Sequence, residues 1–429
     1  MGIKTLFDRH HSLERFGVSF LLVFVLMAAM LGRMTYVHIQ NNIIQLSDQA
    51  VYTRSFSTSK TNTVGSVVNV YGNKERTKVF LLLHFEDMSQ IPIVAEQYQM
   101  FMAGSNTNQT YSRLKSAPSG GLYVFGSTGY MGVYLVDVGG FHSQICALTL
   151  RSLSTASMIG ATRDLSPSDP NNVYDQAMIY FNPGANGVRH AQFLESDVID
   201  VFSMFEEVIG RPREAEIRQQ LRTDLETMLI QQRSAADYLE RLRIENVASP
   251  TIPEWMNGDV IEARNKDGEV LSWLDSSKGW SDGKTLYYLE DIRFKYTPAV
   301  VLPGGYDFDW EAKSVSEGYL DDLVGDKTVS AYFAGKAQEL EKNLDNEVVV
   351  SQDRYSYTDG SVVDMNEETG NRTIISEIKT LQSIFEAYYD AKYDYQVTQL
   401  GSLLSLEDSM HNIGKNYTTN YSEDTLTLY

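Results

Sequence analysis

One stretch of this chain is apolar without a break, and the rest alternates. Phe16 to Gly32, FGVSFLLVFVLMAAMLG, carries no charge. A bilayer core needs about 20 apolar helical residues, with about 17 the lower bound. Extension through Arg33 to Ile39 supplies the last turn, where Arg33 can snorkel and Tyr36 can sit at the interface. The pattern predicts a single transmembrane helix over 16–36. Lys4, Arg9 and Arg15 precede it, and after it Arg33 stands alone until Arg54. The positive-inside bias therefore places a tail, 1–15, in the cytoplasm and the remainder outside the cell membrane. A cleaved signal peptide wants small residues at two positions before the cut. The pairs Met27/Ala29 and Met30/Gly32 meet that poorly, so the segment reads as an uncleaved signal-anchor.

Residues 37–50 are polar with Ile39, Ile43, Ile44 and Leu46 at helical spacing, which suits a short stalk. From Val51 the period changes to that of strands. Val67–Tyr71, Lys78–Phe85, Gln97–Ala103, Leu122–Phe125, Met131–Val138 and Gln144–Leu150 are β-branched and aromatic, with turn residues between them. Several short strands of this kind predict a β-sandwich-like domain over 51–190.

Within it, FGSTGYMG at 125–132 has the spacing of a glycine-rich dinucleotide fingerprint and is similar to the glycine motif of short-chain dehydrogenases. That motif works only where a strand runs into a helix whose N-terminus holds the pyrophosphate. The residues that follow, VYLVDVGG, alternate and are β-branched, so they make a poor helix. Gly126 to Gly129 read instead as a hairpin turn, and Gly132 as a bulge or a close backbone contact. No cofactor is expected.

Residues 191–246 predict a helical hairpin broken at Gly210-Arg211-Pro212. In its second arm Ile217, Leu221, Leu225, Met228, Ala235, Leu239 and Leu242 form one apolar stripe. The same arm holds seven arginines and no lysine: Arg211, Arg213, Arg218, Arg222, Arg233, Arg241 and Arg243. Acidic residues largely balance them. The pattern serves either a solvated face with i,i+4 ion pairs or a docking face for a partner subunit, since arginine is enriched at interfaces.

Residues 247–312 predict a small β region with a hairpin around Lys266-Asp267-Gly268. All four tryptophans lie here: Trp255, Trp273, Trp280 and Trp310. They suit the core of a small β domain, or an aromatic platform for cell-wall glycans. The remainder, 313–429, is acidic and predicts an α/β region with helices near 331–344 and 374–404, a strand near 347–357, and a polar, mobile tail from His411. The fold class is thus a single-pass membrane protein with an α+β ectodomain.

Composition narrows the function. A net charge of −20 runs against general nucleic-acid binding, which needs a basic surface to neutralise phosphates. The single cysteine, Cys146, excludes an intramolecular disulfide and zinc sites of the Cys-x-x-Cys type. His142 lies four residues from it, too far along a strand for a direct hydrogen bond. Asp164, Asp169, Asn171 and Asp175 could supply oxygens to a calcium ion but lack EF-hand spacing. Carboxylate pairs such as Glu290/Asp291 and Asp307/Asp309 are abundant and therefore uninformative for glycan hydrolysis, where the separation in space decides. The layout suggests a non-enzymatic structural or interaction subunit of a cell-envelope assembly (secretion, conjugation or surface complex). Its expected partners are the lipid bilayer and other protein subunits, with self-association as an option. The alternative is a glycan-binding protein or hydrolase using the tryptophan-rich region.

Overall fold

The computed structural model describes residues 12–106, 110–153, 174–248, 250, 252–274, 279–301, 310–325, 327–347, 354–366 and 371–429. The chain is mixed α/β, with several antiparallel sheets and one N-terminal apolar helix. It divides into two compact units, 1–200 with 413–429, and 201–412.

The apolar stretch and the stalk form one helix, α1 (Ser12–Asp48). Its window Phe20–Val37 is long and apolar enough to cross a membrane, and none of it is buried. The helix ends where polar contacts capture Asp48. Gly187 N–H donates to the Asp48 carbonyl at 2.9 Å, and Asn186 Nδ2 donates to its carboxylate at 2.9 Å. Two residues later Ala50 is already part of the core.

The first unit is built from two sheets. One has the order β1 (Ser55–Ser57), β2 (Val64–Gly72), β3 (Lys78–Phe85), β7 (Tyr130–Val136), β6 (Ser119–Val124), β18 (Thr418–Asn420), with β10 (Arg189–His190) beside β2. The other has the order β19 (Leu426–Leu428), β4 (Tyr98–Ser105), β8 (Ile145–Ser152), β9 (Gln176–Phe181), with β5 (Tyr111–Ser112) beside β4. All pairs are antiparallel except β10–β2 and β19–β4. Alternate residues of both sheets share one core, among them Val79, Leu81 and Leu83 from the first and Met100, Leu148 and Ile179 from the second. Period-two alternation put these side chains on one face of each strand.

The stretch from Phe125 to Gly132 is a strand, a turn and a strand. β6 and β7 pair antiparallel, Phe125 N–H donates to the Tyr130 carbonyl, and Gly126 and Gly129 lie at φ +58° and +83°. A left-handed φ is cheap only for glycine. Gly132 has a different task. It sits opposite Leu82 on β3, and a Cβ there would collide with the Phe80 ring. That ring in turn packs edge-on against Phe193 at 5.4 Å. The tail expected to be mobile supplies β18 and β19, one to each sheet.

In the second unit the expected hairpin is a single helix. Val201–Phe205 and a π turn, Glu206–Gly210, lead directly into α2 (Arg211–Ile244). Pro212 lacks an N–H, and its ring would strike the carbonyl four residues back at Val208. The wider π turn absorbs that conflict, so the helix continues where the sequence implied a break. α2 packs instead against α4 (Arg372–Tyr393), beyond α3 (Val329–Glu347). A second π turn, Asp394–Gln399, leads from α4 into α5 (Leu400–Asn416). The Asp-Gly turn forms, with Gly268 at φ +84°, but its ladder is short. β11 (Ile261–Arg264) pairs mainly with β15 (Arg293–Tyr296), while β12 (Ser272–Leu274) pairs with β13 (Gly279–Ser281), and β13 with β14 (Leu286–Tyr287). A further hairpin joins β16 (Arg354–Ser356) to β17 (Val362–Asp364).

Gly132→Ala forces the Phe80 ring out of place. Denaturant unfolding of the detergent-solubilised chain should show a loss of about 2 kcal/mol, the usual scale of overpacking. Gly139→Ala, which meets only an Asp137 carboxylate oxygen at 3.4 Å, should stay within about 0.5 kcal/mol. An unchanged midpoint in the first variant would show that the ring does not require the glycine.

Candidate functional site

Helix α2 carries the seven arginines, and the fold divides them. Its stripe, Ile217, Leu221, Leu225, Met228, Ala235 and Leu242, is buried. Three half-buried arginines flank it. Arg218 grips Glu214 Oε1 through Nε and Nη2 at 2.9 and 2.7 Å, and donates to the carbonyls of Trp310 and Lys313. Arg222 Nε reaches Glu311 Oε1 at 3.0 Å. Both guanidinium groups lie about 6 Å from the Trp310 ring centre. Arg233 stands 5.0 Å from the centre of the Trp280 ring, whose Nε1 donates to Glu226 at 2.7 Å. These three cations bind the tryptophan region to α2 within the unit.

The other four arginines, Arg211, Arg213, Arg241 and Arg243, are exposed, at the two ends of the helix. Arg211 pairs with Glu206 at 3.1 Å, Arg213 with Glu216 at 2.5 Å and Arg243 with Glu240 at 2.5 Å. Arg241 lies over the Tyr238 ring at 4.9 Å. Exposed ion pairs of this kind contribute little to stability, so these side chains are cheap to redirect.

Three of the tryptophans have no free ring face. Trp255, Trp280 and Trp310 are 3%, 1% and 1% exposed. Trp255 stacks on Tyr388 at 3.7 Å, and Trp310 Nε1 donates to the buried Tyr395 hydroxyl at 2.7 Å. Trp273 is half-buried and meets Trp280 edge-on at 5.2 Å. A sugar platform needs open ring faces, and only Trp273 retains part of one.

Three buried acids in this unit were not singled out by the sequence, Asp224, Asp259 and Glu407, the last of which accepts from the Tyr319 and Leu320 N–H groups. Asp259 accepts from both the Tyr388 hydroxyl and Lys392 Nζ at 2.6 Å. Asp224 lies on the apolar stripe itself. Gln220 donates to its Oδ1 at 2.9 Å, while Oδ2 has no partner in the described structure. Burial pushes its pKa up to about 6, and Asp394 at the start of the second π turn adds to that shift. The sequence signal was a charged residue at a position that helical spacing assigns to the core.

The remaining candidates stay apart. Cys146 faces the core of the first unit, where burial pushes its thiol up to about 12, and His142 is exposed ahead of β8. Asp175 holds a loop, accepting from Lys60 N–H at 2.7 Å and Thr61 Oγ1 at 2.6 Å. Asp164, Asp169 and Asn171, like Asp307 and Asp309, lie outside the described residues. Among the described residues no cluster of three His, Cys, Asp or Glu is arranged to hold a metal ion. A cavity of about 720 Å³ lies on the outer face of the second sheet in the first unit. Its signal was a loss of alternation, with Met100 to Ala103 apolar at four consecutive positions.

Comparison with protein-family models, with curated proteins and with solved structures gives no match for this chain.

Asp259 and Asp224 give opposite expectations. Lys392→Met strands the Asp259 carboxylate and should cost about 3 kcal/mol in denaturant unfolding, whereas Lys392→Met with Asp259→Asn should recover most of it. No recovery would mean that the cation acts by packing alone. For Asp224 the folded pKa is raised, so its contribution is complete below the unfolded carboxyl value near 4 and is lost as pH rises through about 6. Asp224→Asn should therefore raise the thermal midpoint at pH 8 and give no gain at pH 4. An equal gain at both values would contradict the assignment.

Proposed function

We propose that this chain is a membrane-anchored, extracytoplasmic structural or interaction subunit of a cell-envelope assembly, such as a secretion, conjugation or surface complex. It works by holding partners rather than by catalysis. Its N-terminus lies in the cytoplasm, and residues 37–429 lie outside, as the basic residues before the apolar stretch of α1 favour. The observation that carries the reading is α1. Its apolar window is fully exposed, which water would penalise at roughly 25 cal/mol per Å², and the same helix ends in polar contacts with the first unit. A bilayer removes the penalty, and the continuous helix transmits that attachment to the body of the protein.

The partner face proposed is the exposed pair of arginine groups at the ends of α2. Arginine offers planar, bidentate donors to carboxylates and is enriched where proteins meet.

The test is extraction from native membranes in mild detergent, with the mass of the complex and every co-purifying chain determined. A stoichiometric assembly well above the mass of one chain is expected, and a lone monomer would overturn the reading. Charge reversal at the exposed ends, Arg211→Glu with Arg213→Glu and Arg241→Glu with Arg243→Glu, should leave the thermal midpoint within a few degrees and reduce partner recovery at least tenfold. Undiminished recovery would remove these arginines from the interface.

A further inference from the structure

The outer face of the second sheet in the first unit breaks the rule that the wet side of an antiparallel sheet is polar. Three cross-strand rows point outward there: Gln99–Arg151–Gln176, Phe101–Thr149–Met178 and Ala103–Ala147–Tyr180. Their neighbours Met100, Met102, Leu148, Leu150, Ala177 and Ile179 take the core side. The small residues Ala103, Ala147 and Thr149 form a floor, and larger side chains rise around it.

The walls are flat and soft. Phe101 lies 6.1 Å from the Tyr429 ring, and the Tyr111 and Tyr180 hydroxyls approach the Met178 sulfur at 3.8 and 3.0 Å. The Arg151 guanidinium sits 4.4 Å over the Phe101 ring, steadied by Gln176 Oε1 at 3.2 Å. Arg113 adds a second cation from an exposed position. The volume of this open cavity, about 720 Å³, lies within the range of small-molecule sites, roughly 300–1,000 Å³.

Charge selects the occupant. The chain carries 56 acidic against 36 basic side chains, yet the described side chains lining this cavity include two arginines and no Asp or Glu. We propose that the cavity binds a small aromatic carboxylate. Its ring lies on the alanine floor between Phe101, Tyr111 and Tyr429, and its anionic group pairs with Arg151 and Arg113. Rings gain from stacking against aromatic and guanidinium planes. A carboxylate gains from charge-assisted hydrogen bonds that a neutral group of the same shape lacks. The inference is independent of the proposed assembly role, since it concerns a concave site rather than a docking face.

The experiment is calorimetric titration of the full-length chain in detergent with 2-naphthoate and, separately, with its neutral isostere 2-naphthamide. Saturable one-to-one binding of the naphthoate is expected, with the amide about tenfold weaker. Ala147→Trp, which fills the floor, should abolish binding of both. Arg151→Gln should bring the naphthoate down to the level of the amide. Arg113→Gln, at an exposed side chain, keeps the test intact if either of the others disturbs folding. It should weaken the naphthoate severalfold and leave the amide unchanged. The proposal is overturned by the absence of saturable binding to the wild type, by equal affinity for the two probes, or by undiminished binding to a folded Ala147→Trp chain.

Discussion

Helix α2 has an apolar stripe that cannot face water, and covering it organises the second unit. α4 packs against this helix. The small sheets are too short to bury a core of their own. They are held to the same helix by side chains that reach across: Glu226 to Trp280, Arg218 to the Trp310 carbonyl, and Gln232 Nε2 to the Asp259 carbonyl at 2.9 Å. The arginines that looked like one surface in the sequence thus serve two purposes. Those in the middle are internal braces, and those at the ends are solvated.

The first unit rests on a different constraint. Two sheets share a core that admits little adjustment, and the glycines that resemble a nucleotide motif are among its tightest points. Gly126 and Gly129 let the chain reverse direction, while Gly132 leaves room for the Phe80 ring. A glycine spacing is chemically ambiguous until the element that follows it is known. Here that element is a strand.

Much of this was legible. Runs of β-branched and aromatic residues between turn signals located six of the strands of the first unit to within a few residues, including β3, β6 and β7, which are buried on both faces and do not alternate. The stripe from Ile217 to Leu242 marked the buried face of α2 by its helical spacing. What escaped notice depends on partners distant in sequence. Nothing local says that β11 pairs with β15 rather than completing its own hairpin. Pro212 read as a break because a π turn leaves no signature in hydrophobic periodicity. The tail read as mobile because Thr418–Asn420 and Leu426–Leu428 are too short to carry a pattern. Asp224 was hidden among the charges of a helix rich in them, although its position on the stripe set it apart. The cavity left only a negative trace, the missing alternation at Met100–Ala103.

The placement of β18 and β19 has a consequence for how the chain is made. Each completes a sheet whose other strands were synthesised more than two hundred residues earlier, and β19 lies parallel to β4 across that interval. Contacts so distant in sequence are slow to form. During synthesis, the early strands must wait with two sheet edges open while the whole second unit passes. Open edges invite pairing with other chains. Escort of the nascent chain, or rapid independent folding of residues 201–412 that brings the two ends together, shortens that exposure. The order of the sequence and the order of assembly are therefore different, and the first unit to emerge is the last to be finished.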